Sequence, residues 1–294
     1  MRNLDNLSNF IQLVEVSPRD GLQNEKSLVP IATKVDLINC LSAAGFRHIE
    51  VGSFVSPKWV PQMADTEAVF AAIDKKPGVT YSCLVPNEQG MQRAIGCGVK
   101  TVAVFISASE GFSKANLNCT IAESLRRIDP VMTLAKQHAI AVRGYVSCVL
   151  GCPFDGAVAP AQVSAVAGEL AAMGCYEISL GDTIGVGYPE QVKSMLAVVT
   201  EKIAVQKLAI HCHDTFGRAV DNILAAMELG VGVIDASVAG IGGCPYAKSA
   251  TGNVATEKVL AMLAAKGLAH GVDVAKAAAA GQFIASALGR VVNP

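Results

Sequence analysis

Eight short β-rich runs, eight longer helical runs alternating with them, and no dividing linker together predict an α/β fold: a (β/α)8 TIM barrel with an additional C-terminal helix. The count decides the architecture, because an open doubly wound sheet usually stops at about six strands whereas the closed barrel needs eight. No Gly/Ser-rich or Pro-rich stretch divides the 294 residues, a length that α/β barrels reach as one unit. The expected organisation is therefore a single domain over 1–294, with the barrel at about 10–266 and a helical extension at about 272–288.

Taken in order, β-branched and alternating runs predict strands at 10–16, 48–52, 79–85, 101–107, 141–149, 177–181, 207–214 and 233–238. Helices are predicted between them at 31–44, 66–75, 87–98, 120–137, 161–173, 189–203 and 218–229, with the eighth at 255–266. Their ends carry the expected punctuation. Pro30, Asn87, Thr120 and Pro189 stand near helix starts, and Gly45, Gly98, Gly174 and Gly230 follow helix ends. The alanine-rich run at 272–288 is a ninth helix, suited to capping the barrel or to a contact within a homo-oligomer.

Composition narrows the function classes. Hydrophobic residues make up 51% of the chain, charged residues 17%, and the mean hydropathy is +0.40. Yet no apolar run approaches the ~18 residues of a membrane span, so no membrane role is expected. The net charge of -1 and the lack of a basic stripe leave no nucleic-acid footprint, and any anionic ligand must be met locally. Nine scattered cysteines and the absence of a charged, apolar leader before Phe10 point to a mature protein of the reducing cytoplasm. Cys148 and Cys152 are the closest pair, but a structural zinc site would want further ligands beside them, so they read as ordinary thiols.

A barrel demands that its reactive residues lie where strands end and loops begin, on the C-terminal face. His211 and His213 alternate in a predicted strand and so share one face, which makes half a metal site. Arg19 and Asp20, bracketed by Pro18 and Gly21, leave the first strand either as a surface turn or as a cation beside a metal carboxylate. Glu50 sits in an otherwise apolar second strand and must pair with a cation such as Arg19 or with metal. The loop that follows carries Trp59, either a ligand wall or, the safer reading, a loop anchor. Arg143 and Tyr145 share one side of the fifth strand, as an internal network or as ligand contacts. Asp182 leaves the sixth strand several residues before the next helix, which favours a site role over a cap. The glycine-rich run 240–243 lacks a dinucleotide fingerprint and suits a mobile loop over the site, carrying Cys244 as an inert thiol or a reactive acid/base. Asn253 suits a helix N-cap or an oxygen ligand. Asp20, His211, His213 and Asn253 supply two nitrogens and two oxygens, which suits a divalent cation, Mg²⁺ or Mn²⁺ first and Zn²⁺ or Co²⁺ next.

Several long stretches resemble one family. Pro18-Arg19-Asp20-Gly21-Leu22-Gln23-Asn24-Glu25, Ser53 to Met63, Arg143-Gly144-Tyr145-Val146-Ser147-Cys148, His211-Cys212-His213-Asp214-Thr215 and the run from Ser237 to Tyr246 are similar to the 3-hydroxy-3-methylglutaryl-CoA lyases. The likeness runs from about Phe10 to Leu288, with Ile241 standing where the family commonly has leucine. It implies a metal-dependent carbon–carbon lyase that splits (S)-3-hydroxy-3-methylglutaryl-CoA into acetyl-CoA and acetoacetate, a step of leucine degradation and ketone-body formation. It also implies Asp20, His211, His213 and Asn253 as cation ligands, Arg19 as catalytic arginine, Cys244 as catalytic cysteine, and Glu50 and Asp182 as supporting acids. Lys26 is a candidate for the phosphates of the acyl-CoA. The base for the substrate hydroxyl stays open between Asp20, a water and a histidine-linked carboxylate. The nearest rival is a lyase for a longer 3-hydroxy-3-alkylglutaryl-CoA such as the isohexenyl homologue; a non-catalytic CoA- or metal-binding barrel is the alternative of another class.

Overall fold

The computed structural model describes residues 10–243 and 252–290. Eight strands form a closed barrel in sequence order: β1 (Gln12–Glu15), β2 (His48–Ser53), β3 (Thr80–Leu84), β4 (Thr101–Ser107), β5 (Ala141–Ser147), β6 (Glu177–Asp182), β7 (Leu208–Cys212) and β8 (Val233–Ala236). Every neighbouring pair is parallel, and β8 closes on β1 through Gln12↔Val233 to Glu15↔Ala236. The outer ring holds α1 (Ile31–Ala43), α2 (Thr66–Ala72), α3 (Glu88–Gly96), α4 (Glu110–Leu117), α5 (Ile121–Gln137), α6 (Pro160–Ala172), α7 (Pro189–Val199), α8 (Ala219–Met227) and α9 (Thr256–Ala265), and α10 (Val274–Ala287) follows. The (β/α)8 barrel with its extra C-terminal helix is thus the observed fold. No helix of the described residues is long and apolar enough to cross a membrane.

The punctuation works as expected at several ends. Asn87 caps α3 by accepting from the Gly90 amide, and Thr120 with Glu123 forms a full capping box on α5. The helix α10 lies against α1, tied by the Asp273 amide donating to the Ala44 carbonyl and by Arg290 bonding Glu25 at 2.6 Å. It covers a flank of the barrel and joins its end to the loop that follows β1.

Four details differ from the sequence expectations. The polar stretch after β4 contains α4, with Ser109 accepting from the Phe112 amide as its cap. Strand β7 stops at Cys212, so His213 lies just past it, bridged to Asn253. The segment after β1 is one π-helical turn, Ser17–Gly21. Trp59 is 86% exposed and so is no anchor; Phe54, Gln62 and Met63 are buried residues of that loop.

Apolar side chains fill the space between strands and helices, whereas the inside of the barrel is polar. Arg143, among the largest fully buried side chains, donates to Glu177 at 2.6 Å, to the Tyr145 hydroxyl at 2.7 Å and to both oxygens of Asp235 at 2.8 and 3.1 Å. The internal-network reading of Arg143 is the one observed. A buried guanidinium survives only when its donors are met, and here two carboxylates and a phenol meet them.

Candidate metal and catalytic site

The sequence brings four strand exits together at one mouth of the barrel. The π-helical turn after β1 swings Arg19 inward, where it is 6% exposed. Its Nε donates to Glu50 Oε2 at 2.6 Å and its Nη1 to Asp20 Oδ1 at 2.5 Å, while the guanidinium lies 5.6 Å from the Tyr145 ring centre. Arg19 and Asp20 are therefore no surface turn pair. Gly21 is required by close approach, since a Cβ there would lie 2.7 Å from Ile241 Cγ1 and 3.0 Å from Ser237 Oγ.

Asp20, His211 and His213 form a cluster whose ligand atoms all lie within 4.8 Å of one another. Burial alone would raise the Asp20 carboxyl, but Arg19, His211, His213 and the Asn253 amide pull it down to about 2. Burial and repulsion by His211 lower His213 to about 4, so its imidazole is neutral, and its Nδ1 is buried without a hydrogen-bond partner. His211 is held differently. Its Nδ1 faces Asp235 Oδ2 at 3.3 Å, which turns Nε2 toward Asp20 at 3.9 Å. Asp235 is in turn fixed by Arg143 and by the Ser179 hydroxyl at 2.7 Å.

This donor set fits a divalent cation. A carboxylate and two imidazoles converge, one His213 nitrogen (Nδ1) is buried without a partner, and His211 carries the carboxylate brace that commonly orients a ligating histidine. Asn253 joins them by donating Nδ2 to Asp20 Oδ2 at 2.9 Å and to the Ile241 carbonyl at 3.2 Å. Thus in this rotamer the amide nitrogen, rather than the oxygen, points at the cluster. Asn253 is not the cap of α9, whose N-cap is Ala255.

The other expected site residues sort by what they touch. Glu50 holds Arg19; burial raises its carboxyl against the pull of that arginine, and its Oε1 is a buried atom with no partner. Asp182 is fully buried, its oxygens accept from the Val186 and Gly187 amides, and its carbonyl accepts from the His213 amide at 3.2 Å. It shapes the loop after β6 and seats His213 through the backbone. Lys26 is exposed on the loop after β1. Cys244 lies outside the described residues, but Gly243 just before it accepts from Asn24 of the first loop at 2.7 Å. Cys148 and Cys152 are buried free thiols.

Asp235 and Glu177 belong to this site's support and were not among the sequence candidates. Asp235 carried the same signal as Glu50, a carboxylate inside an apolar strand, whereas Glu177 opens its strand.

The chain matches the HMGL-like family over residues 10–284. It is 55% identical to the bovine (Bos taurus) mitochondrial hydroxymethylglutaryl-CoA lyase, over 96% of this chain and 87% of that one. It is also 55% identical to the Pseudomonas aeruginosa 3-hydroxy-3-isohexenylglutaryl-CoA/hydroxymethylglutaryl-CoA lyase, over 97% and 95%. The crystal structure of the hydroxymethylglutaryl-CoA lyase from Pseudomonas aeruginosa superposes with a TM-score of 0.96 at 54% identity, covering 98% of this chain and 96% of that one. An Acinetobacter baumannii HMG-CoA lyase in complex with coenzyme A and 3-methylmalate follows at a TM-score of 0.92 and 36% identity, covering 97% and 93%. The chain belongs to the HMGL-like family, the family of these hydroxymethylglutaryl-CoA lyases.

Proposed function

We propose that this chain, as a single lyase domain, cleaves (S)-3-hydroxy-3-methylglutaryl-CoA to acetyl-CoA and acetoacetate by a reverse Claisen reaction. The observation that carries this reading is the juxtaposition of Arg19 with the Asp20–His211–His213 cluster at one barrel mouth. The relatives' names and the coenzyme A complex of the Acinetobacter neighbour support an acyl-CoA substrate. Asp20, His211 and His213, joined by Asn253 once its amide turns to offer Oδ1, would hold a divalent cation, Mg²⁺ or Mn²⁺. When bound, that ion supplies Lewis acidity, acidifying the tertiary hydroxyl and fixing the substrate.

The hydroxyl gives its proton to a base, for which Asp20, a water and a histidine-linked carboxylate are the candidates; the C2–C3 bond breaks, C3 becomes the ketone of acetoacetate, and the electron pair passes to C2 as the thioester enolate. Arg19, locked by Glu50 and Asp20, presents guanidinium charge to the enolate oxygen without reorganising. Cys244 is assigned the protonation of the enolate carbon from the resemblance of its loop to the family. Its substitution, Cys244→Ser, is expected to cut kcat by about 10²–10⁴-fold with an unchanged melting temperature; turnover within twofold of the parent sinks the assignment. Lys26, at the exposed rim, suits the CoA phosphates.

Asp235 is expected to act through His211. Asp235→Asn removes the charge that fixes the Nδ1 side, and Mn²⁺ affinity, read by calorimetric titration, should fall by about 10–100-fold. Unchanged affinity would leave Asp235 as a partner of Arg143 alone.

The Pseudomonas relative, whose name carries both substrates, favours a second reading in which longer 3-alkyl groups are also accepted. Release of acetyl-CoA from the methyl and isohexenyl substrates, each with and without EDTA, tests both readings. Activity on neither substrate rejects the lyase, and activity that survives EDTA rejects the cation. Free thiols at eight described cysteines suit a reducing compartment, and we place the protein in the cytoplasm, although the bovine relative is named mitochondrial. Val274 and Phe283, exposed on α10, are candidates for a homo-oligomer contact.

A further inference from the structure

We propose that Glu15 is a positioning residue: its buried carboxylate joins the first loop, which carries Arg19 and Asp20, to the exit of β8 and the start of α9, which flank Asn253. This rests on the functional reading above, because the loops it joins are those given the cation and the chemistry.

Glu15 is the last residue of β1 and is fully buried. Its Oε1 accepts from the Ser17 and Val238 amides, both at 3.0 Å, and its Oε2 accepts from the Thr256 hydroxyl at 2.7 Å. Val238 opens the short turn after β8, and Thr256 is the first residue of α9. These partners lie 223 and 241 residues along the chain, so one carboxylate closes the first and last connections of the barrel on each other.

The joined segments lead directly to the ligand set. Ser237 and Thr256 are bonded through the Thr256 amide and the Ser237 carbonyl at 3.0 Å, and the Ser237 amide donates to Val254 at 3.1 Å. Ser237 Oγ donates to the Ile241 carbonyl at 2.8 Å, the same carbonyl that receives the Asn253 amide. Gly21 packs on Ser237 and Ile241 with no room for a Cβ. A shift of the 237–241 segment against β1 would therefore move both Asp20 and Asn253. Burial raises the Glu15 carboxyl and its hydrogen bonds to Ser17, Thr256 and Val238 pull it the other way, leaving it at about 7. The hydrogen bonds of the joint favour its charged form against the effect of burial.

Glu15→Met keeps length and removes every acceptor, while Glu15→Gln keeps one oxygen for the two amides. For Glu15→Met, Mn²⁺ affinity is expected to fall by about 10-fold and kcat by about 10–100-fold, with KM for the acyl-CoA within about threefold. Glu15→Gln should recover most of both. Hydrogen exchange should quicken in 17–22 and in 252–256 together. A Glu15→Met protein that melts lower but keeps parental Mn²⁺ affinity and kcat overturns the proposal, as does faster exchange confined to one segment. If Glu15→Met does not fold, Thr256→Val, which removes one bond, is read the same way for a loss of about two- to threefold, with Thr256→Ser as its rescue. The parent protein in the same titration separates the two readings. Absence of Mn²⁺ binding and turnover in the parent refutes the lyase function, whereas the exchange pattern still tests the joint.

Discussion

Arg19→Met is expected to lower kcat by about 10²–10³-fold or more while Mn²⁺ affinity stays within a few-fold of the parent. The asymmetry follows from where the guanidinium points. Its Nε is spent on Glu50 and its Nη1 on Asp20 Oδ1, so the group stands beside the cation ligands without being one. Removing it takes away a preorganised positive charge worth about 3–4 kcal/mol to a developing oxyanion. It also relieves Asp20 of a competing cation, which cannot weaken that carboxylate's hold on a metal. The folded state should lose stability as well, because Glu50 is left buried. Burial already raises the Glu50 carboxyl, so it can take up a proton and limit that loss. Arg19→Lys should rescue poorly, since an ammonium cannot span Glu50 and Asp20 with the geometry of a planar fork. Near-normal turnover of Arg19→Met would reject the electrostatic role outright.

How much of this could be read from the chain depends on the range of the interaction. Strand and helix periodicity is local, so the eight β/α units and the tail helix were legible. Glu50, Arg143 and the histidine pair stood out as polar residues in apolar strands, because burying them unpaired is costly. Their partners were another matter. Arg143 meets Asp235, 92 residues away, and Glu177, 34 residues away, through a register that exists only once β5, β6 and β8 close around one axis. Asp235 carried the same signal as Glu50 but had no motif beside it to draw attention, and Glu177 stands at a strand start, where a charge is ordinary. The helix α4 was missed because Glu110–Leu117 has weak apolar periodicity, with Gly111, Ser113 and Asn116 interrupting it; it depends on its Ser109 cap and on packing. Trp59 shows the reverse error. A lone tryptophan suggests an anchor, yet Gln62 does that work by bonding the Val29 amide and the Ser27 carbonyl.

Asp20→Asn should give the opposite signature to Arg19→Met, with Mn²⁺ affinity falling by about 100-fold or more and turnover falling with it. Asp20 is the one carboxylate in the cluster, and it is held strongly ionised at the junction of Arg19, Asn253 and the two histidines. The substitution keeps shape and burial but removes the charge that balances a divalent ion. It also creates a donor conflict. An asparagine at 20 must turn its oxygen to the Arg19 guanidinium, which aims its NH₂ at the Asn253 NH₂ now donating to Asp20 Oδ2. Asn253 can escape only by turning its own amide, giving up its bond to the Ile241 carbonyl as well. Added Mn²⁺ should then restore little activity to Asp20→Asn at any concentration, because the charge that balances the ion is lost. In Arg19→Met the ion should still bind but turnover should stay low. If excess Mn²⁺ fully restores kcat in Asp20→Asn, Asp20 contributes affinity alone. If Mn²⁺ affinity is unchanged from the start, Asp20 is not a ligand and the cluster must be read as an ion-pair network serving Arg19.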